Sequence, residues 1–185
     1  MTKILIHLFL SNIYFCAFAD ITITVKVKNA SPNTSISIIS EYYDLDKRPL
    51  EVSSLDKQGI GILKTTVKNK RLLIVDIGFK VVPILVNPGN NYIITYDNKE
   101  RIKINFDGDN SKMNTFLHEC ENFITNFQYN GKPYIDWEPL IEFPQGMDSL
   151  ENLISKNISV FLENNTINQN DSKLLSEFFS KFCFD

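Results

Sequence analysis

The sequence has few of the residues from which catalytic and metal centres are built. Its 185 residues include three cysteines, two histidines and one tryptophan, and no Cys-x-x-Cys arrangement occurs. A zinc site of the usual composition needs several cysteine or histidine ligands, and dithiol exchange uses a pair of neighbouring thiols. Glycine loops of the kind that hold phosphates or dinucleotides are also missing. The sequence therefore predicts no metal centre, no cofactor and no catalytic residue.

Clustered positive charge is the second thing that is missing. The chain has 19 Lys and Arg residues against 22 Asp and Glu residues, which gives a formal net charge of -3. Binding to a phosphate backbone depends on a patch or stripe of basic side chains. We therefore expect no nucleic-acid partner.

Long apolar runs are missing as well, and the longest one lies near the start. It is shorter than the roughly 20 residues that cross a bilayer as a helix. Lys3 precedes it, and the small residues Ala17 and Ala19 follow at the positions that a signal peptidase reads. The pattern predicts a secretory signal peptide over residues 1–19 with cleavage before Asp20. We expect a periplasmic or cell-envelope protein whose mature chain has no transmembrane segment.

What the sequence does have, after the signal, is alternation with a period of two. Ile21, Ile23, Val25 and Val27 alternate with threonines and lysines, as in a strand with one buried face. Six more strands are predicted at 35–40, 59–67, 71–77, 81–86, 92–96 and 102–106. Seven short strands in a row indicate an antiparallel β-sandwich over residues 20–108.

The period changes to that of a helix after Asp109. Three helices are predicted over residues 109–185: one after a cap at Asp109 or Asn110, one over 149–163 capped by Asp148 with Glu151, and one from Ser172. On the first helix, His118 falls on the polar face, where we expect a solvated side chain. The predicted class is α+β, mainly β, with the helical part packed on the sandwich.

Two predicted strands, 72–75 and 81–86, are apolar on both faces. Such strands are central or covered from outside, and the helices are the natural cover. The second strand ends in VNPGNN, where Pro88 and Gly89 fit the middle of a tight turn. We expect this turn to form a hairpin between 81–87 and 91–97.

Three segments of the sequence resemble the amino-terminal domain of secreted TlpA-like thiol-disulfide oxidoreductases. They read DKQGIGI over 56–62, ILVNPGNNYIITY over 84–96 and INFDGDNSKMNTFL over 104–117. The matching positions include Asp56, Gly59, Gly108, Asp109, Asn110, Asn114 and Leu117. The resemblance covers residues 20–127 and implies a signal peptide, a β-sandwich and a helical connector that precede a thioredoxin domain.

The sequence departs from that family in two places. Family members place an aromatic residue after the Asp-x-x-Gly turn, where this chain has Ile60, Gly61 and Ile62. The sequence also stops at Asp185, near where the thioredoxin domain would begin, without the family's cysteine pair. The resemblance therefore implies a non-catalytic accessory or binding domain, with a thioredoxin-like domain or another periplasmic protein as its partner. A truncated or split family member is the corresponding hypothesis.

The cysteines leave one alternative of a different class. Cys16 lies inside the signal, where Phe15 before it argues against lipid attachment. Cys120 lies on the apolar stripe of its helix and is expected to be an inert core residue, whereas Cys183 lies between two phenylalanines near the end. The two could form a disulfide, or act together as an unusual thiol oxidoreductase pair.

The long segment between the first two helices supplies the third interpretation. Residues 129–143 have no clear periodicity, and long segments of this kind are often functional or fold over a core. Tyr134, Asp136, Trp137 and Glu138 combine aromatic rings with carboxylates, which is a composition suited to binding sugars. A surface carbohydrate-binding module that uses this segment is therefore the second alternative.

Overall fold

The computed structural model of the chain describes residues 19–40, 48–78, 80–99, 103–133, 142–165 and 172–175. The strands are β1 (Ala19–Lys28), β2 (Ser35–Ile39), β3 (Glu51–Ser54), β4 (Ile60–Val67), β5 (Arg71–Asp76), β6 (Val81–Val86), β7 (Asn91–Asp97), β8 (Ile104–Gly108), β9 (Gln128–Tyr129) and β10 (Lys132–Pro133). The helices are α1 (Ser111–Thr125) and α2 (Glu142–Asn164). Residues 172–175 are also helical.

The first eight strands form two four-stranded sheets. Sheet A has the order β4-β1-β7-β8 and sheet B has the order β3-β2-β5-β6. Their inward side chains make one apolar core, in which Ile21, Ile23 and Val25 of β1 are fully buried. This confirms the predicted α+β, mainly β class. The sequence alternation of β1 matches the burial of its side chains, because the threonines and lysines between these residues lie on the outer face.

One strand pair differs from the predicted antiparallel pattern. β1 pairs with β4 antiparallel but with β7 parallel, so that Ile23 lies beside Tyr92 and Val25 beside Ile94. A parallel pair needs a long crossover between its strands, and here the crossover contains the whole of sheet B together with β4. The first strand of the sandwich is therefore central in its sheet.

The Pro-Gly turn forms as predicted, but the predicted hairpin is wrong. The N–H of Asn90 donates to the carbonyl of Asn87 at 3.4 Å, and Gly89 has a φ of 80°, as a turn with glycine in third place requires. However, β6 pairs with β5 in sheet B, while β7 pairs with β1 and β8 in sheet A. The turn therefore carries the chain from one sheet to the other. It is fixed by Tyr92, whose hydroxyl oxygen accepts from the N–H of Asn87 at 2.6 Å.

The outer face of sheet B is covered by helices, as the apolar sequences of β5 and β6 predict. Leu85 of β6 and Leu72 of β5 belong to a second apolar cluster that is separate from the core between the sheets. Its other buried members come from helical segments: Met113, Phe116, Leu117, Cys120, Met147, Leu150, Ile154, Ile158 and Leu175. The helical part thus packs on the sandwich through one face of sheet B.

Helix α1 lies along one side of the sandwich, in contact with both β6 and β8. These are the edge strands of the two sheets on that side. The side-chain amide of Asn114 makes two hydrogen bonds to the backbone of β6. Its Oδ1 accepts from the N–H of Leu85 at 2.7 Å, and its Nδ2 donates to the Leu85 carbonyl at 3.4 Å. The amide side chain therefore replaces a neighbouring strand at this edge.

The helix boundaries differ from the predicted ones in their caps. Asn110 occupies the N-cap of α1 as expected, but its φ is 56° and its side chain makes no capping hydrogen bond. The second helix begins at Glu142 instead of near 149, so Asp148 lies inside α2 and the predicted cap of Asp148 with Glu151 is wrong. In the part of the chain that is described, no helix is both long enough and apolar enough to span a lipid bilayer.

Candidate functional site

Most of the side chains that the sequence suggested for a site lie outside the described residues. This holds for Tyr134, Asp136, Trp137, Glu138 and Cys183. The beginning of the same segment, residues 128–133, forms the small hairpin of β9 and β10. Tyr129 of this hairpin donates its hydroxyl to Oε1 of Gln145 in α2 at 3.0 Å. The sugar-binding interpretation and the Cys120 to Cys183 disulfide therefore stay predictions.

Cys120 of α1 has no disulfide partner among the described residues and is buried in the second apolar cluster, with 4% of its surface exposed. Its placement on the apolar stripe of α1 confirms the expected core position. Burial, and secondarily the negative charge of Glu119, raises the pKa of the Cys120 thiol to about 12. The thiol stays protonated at neutral pH, and the protonated form is a poor nucleophile.

His118 is buried, so the prediction of a solvated histidine is wrong. Only 4% of its surface is exposed, and Glu121 on the same helix is equally buried. The reason is that this polar face of α1 packs on the sandwich, where Asn114 bonds β6 and His118 lies against the edge strand β8. The ring of Phe106 in β8 approaches the His118 ring edge-on, with 6.1 Å between the centroids.

The buried polar groups of α1 are paired with one another. The Nδ1 of His118 lies 3.2 Å from Oε2 of Glu121, and the Nδ2 of Asn122 donates to Nε2 of His118 at 3.0 Å. In this arrangement Nε2 accepts a hydrogen bond and the Nδ1 side of the ring faces a carboxylate. Lys80, just before β6, approaches the other oxygen of Glu121 at 3.8 Å. Both ring nitrogens are therefore engaged inside the protein, as in a structural network.

A groove lies between α1 and α2 in the helical part. It holds about 440 Å³ and is lined by Phe116, Glu119, Cys120, Phe123, Asn157, Val160, Phe161, Asn164 and Asn165. An adjoining recess of about 300 Å³ shares Phe116, Glu119, Phe161 and Asn165 with it and extends toward Phe106. Phe116 and Phe161 stack face to face between the two parts, 3.9 Å apart at the ring centroids and inclined by 7°.

The groove is apolar at its floor and polar at its rim. Phenylalanines of both helices and the thiol of Cys120 form the floor, while Glu119 and three asparagines surround it. Val160 is 47% exposed at this surface. Among the described residues, His, Cys, Asp and Glu do not gather in groups of three or more that could hold a metal ion. The geometry suits the burial of apolar side chains from a partner.

Sequence reasoning missed the buried network and the groove for different reasons. Asn114, His118 and Glu121 recur at the spacing i, i+4 and i+7, which marks one face of a helix. This helical spacing was present in the sequence, but a polar helix face was expected to be exposed to solvent. The groove depends on how α1 and α2 lie against each other, and helix periodicity alone does not give that arrangement.

Comparisons with known proteins do not place the chain in a family. No family model matches the chain, and no curated protein matches it. Among solved structures, the chain is similar to the Bacillus anthracis TIE protein at 12% identity, with a TM-score of 0.31. The similarity covers 43% of this chain and 16% of that one. A likeness of that extent says nothing about function.

Proposed function

We propose that the protein is a non-catalytic, exported accessory domain that binds a thioredoxin-like protein through the groove between α1 and α2. The observation that carries the proposal is the groove itself, with an apolar floor from Phe116, Phe123 and Phe161 and a rim of asparagines. A partner with apolar side chains at its surface would bury them there. The likeness of residues 20–127 to the domain that precedes thioredoxin in TlpA-like proteins supplies the partner class.

The state of Cys120 favours binding over redox chemistry. The thiol belongs to the floor of the groove, but burial and Glu119 raise its pKa to about 12. A cysteine that attacks a disulfide needs thiolate character and access. Cys120 would meet a docked partner as a small apolar surface. The thiol oxidoreductase interpretation has no comparable support.

The binding proposal is tested with a purified thioredoxin domain of a TlpA-like protein and isothermal titration calorimetry. Val160→Glu places a charge at the edge of the groove floor, and we expect it to weaken binding by at least about tenfold, which is about 1.4 kcal/mol. The matched control is Ser155→Glu, which adds the same charge at an exposed position of the same helix. Equal binding by both variants, or no binding by the natural protein, would remove the proposal.

The non-catalytic part of the proposal has its own measurement. We expect no acceleration of insulin reduction by dithiothreitol when the purified protein is added. Catalysis that disappears in Cys120→Ser would overturn this part and establish the oxidoreductase alternative. Because this assay does not depend on the calorimetric titration, the two parts can fail separately.

A further inference from the structure

The four edge strands of the sandwich are protected to different degrees. On one side, α1 covers β6 and β8, and Asn114 bonds the β6 backbone. On the other side, β3 has only four residues, whereas β4 has eight. In the described parts of the chain, β1 is the one strand paired with β4. An edge of this length with unpaired backbone groups is a template for another strand.

The hydrogen bonds around Gly59 and Ile60 show which backbone groups of β4 point away from β1. The carbonyl of Gly59 accepts from the N–H of Val27 on the β1 side at 2.8 Å. Ile60 bonds in the other direction: its carbonyl accepts from the N–H of Asp56 at 2.8 Å, and its own N–H donates to Oδ1 of Asp56 at 2.9 Å.

Backbone groups along a strand point alternately to its two neighbours. Ile62, Lys64 and Thr66 have the same parity as Ile60, so their N–H and C=O groups point away from β1. Next to the turn, β3 approaches β4 closely, because a Cβ added at Gly61 would lie 3.2 Å from the carbonyl of Ser54. Among the described residues, the unpaired length of this edge therefore begins at Ile62.

The side chains of the same residues face solvent. Ile62 is 50% exposed, and Lys64 and Thr66 are exposed as well. Six large hydrophobic side chains of the described residues are exposed, and four of them lie on or beside β3 and β4: Leu50, Val52, Ile60 and Ile62. The edge thus combines free backbone groups with apolar side chains, which are the two requirements for strand addition.

Positive charges beside this edge favour a partner strand that carries an acidic side chain. The outer face of β1 and β4 carries Lys26, Lys28 and Lys64, all exposed. The carboxylate on that face belongs to Asp20 at the far end, where it accepts from the hydroxyl of Thr66 at 2.8 Å. An incoming strand with a carboxylate opposite Lys64 gains an attractive cross-strand pair, whereas a basic residue there is repelled.

We propose that β4 accepts an extended segment of a partner protein as a fifth strand of sheet A. The segment places apolar side chains opposite Ile62 and Thr66 and an acidic side chain opposite Lys64. A second copy of this chain fits less well, because the antiparallel register that pairs Ile62 with Thr66 also places Lys64 opposite Lys64. The inference goes beyond the proposed function, since β4 lies on the side of the sandwich opposite α1.

The test uses a fluorescein-labelled peptide, Thr-Val-Thr-Glu-Thr-Val-Thr, and fluorescence anisotropy with the purified protein. The control peptide has Lys in place of Glu, and we expect it to bind at least about tenfold more weakly. Lys64→Pro removes an N–H that faces the free edge, where proline is tolerated in a strand. We expect Lys64→Pro to abolish binding, Lys64→Thr to retain it within a few fold, and Lys64→Glu to prefer the control peptide.

Amide hydrogen exchange by NMR examines the edge without any substitution. In the free protein, we expect the N–H groups of Ile62, Lys64 and Thr66 to exchange at least about a hundredfold faster than those of Leu63 and Thr65, which face β1. Addition of the Glu peptide should slow the first set. Slow exchange at all five positions in the free protein would mean that the edge is already covered, and it would overturn the proposal.

Two further outcomes also decide against the proposed partner. Equal peptide binding by Lys64→Pro and Lys64→Thr would show that the edge backbone does not take part. Sedimentation velocity that finds a dimer of the natural protein and a monomer of Lys64→Pro would assign the edge to a second copy of the chain. Failure of any of these arms leaves the thioredoxin titration unaffected, because that titration concerns the groove.

Discussion

Asn114 shows at the scale of one residue how this fold uses buried polar groups. Its side-chain amide bonds both the N–H and the C=O of Leu85, and it has 1% of its surface exposed. Leaving a buried backbone group without a partner costs about 1–3 kcal/mol. The pairing is specific, because sliding α1 along β6 by one residue would break both bonds. A polar residue therefore fixes the register of helix against sheet, which apolar contacts alone do not.

The raised pKa of Cys120 leads to a prediction about its reactivity. With a pKa of about 12, about one thiol in ten thousand is ionised at pH 8, so we expect iodoacetamide to label Cys120 about a thousandfold more slowly than in the unfolded chain. Peptide mass spectrometry after timed labelling measures both rates, with the protein in concentrated urea as the control. Rates within tenfold of each other would contradict the described burial.

Tyr92 supplies a prediction about stability and pH. Burial is the largest cause that raises the pKa of its hydroxyl above 10.0, so the folded state holds that proton more tightly than the unfolded state does. The associated stability is fully present below pH 10 and is lost as pH rises above it. Tyr92→Phe also leaves the N–H of Asn87 without its partner, and we expect a loss of about 1–2 kcal/mol at pH 7.

Urea unfolding at pH 7 and at pH 10.5 checks this prediction. The difference in unfolding free energy between the natural protein and Tyr92→Phe should be smaller at the higher pH, because only the natural protein has this group to titrate. Cys120 is present in both proteins and does not affect the comparison. A difference that grows with pH would show that the hydroxyl is more acidic in the folded state than described.

At the scale of the elements, Gly108 controls how β8 leads into α1. Its φ is 81°, and a Cβ added there would lie 2.7 Å from the carbonyl of Asn91. Gly131 has a similar φ of 74° but nothing within 4 Å of an added Cβ. We expect Gly131→Ala to cost about 1 kcal/mol from the backbone angle alone, and Gly108→Ala to cost about 2 kcal/mol or more. Chemical denaturation compares them, and equal losses would mean that the Asn91 contact relaxes freely.

The elements that the sequence predicted well are those whose apolar residues recur at a regular spacing. β1, β4 and β7 alternate buried and exposed side chains along most of their length. β3 was missed because its residues Glu51–Ser54 are mostly polar and neither of its alternating sets is fully buried. The turn at Pro88 and Gly89 was predictable from local angles. Its role as a link between sheets was not, because strand pairing depends on residues far away in the chain.

The candidate site was predictable to a smaller extent. The core position of Cys120 followed from the apolar stripe of α1, and that expectation is confirmed. The burial of His118 depends on Phe106, which comes from β8 and is twelve positions earlier in the sequence. The spacing of residues along α1 does not predict a contact with a residue of another element. Tertiary neighbours, and not local preference, decide whether a polar helix face meets water.

At the scale of the whole molecule, isoleucines occur both in the core between the sheets and at the exposed edge of β4. Ile23 is 0% exposed between the sheets, whereas Ile62 is 50% exposed on β4. We expect Ile23→Ala to lower the free energy of unfolding by about 2–5 kcal/mol because it leaves a cavity. Ile62→Ala should change it by less than about 0.5 kcal/mol. Thermal and urea unfolding of both variants provide the measurement, and similar losses would contradict the two-sheet arrangement.

The central place of β1 in sheet A has a consequence for how the protein is made. β1 is the earliest strand to leave the ribosome, yet its partner residues begin at Ile60 in β4 and at Asn91 in β7. Until that later stretch has been synthesised, the isoleucines and valines of the first strand have no native surface to join. The nascent chain therefore carries an incompletely paired apolar strand until about half of its 185 residues have been made, and β1 gains its second neighbour only when β7 has emerged.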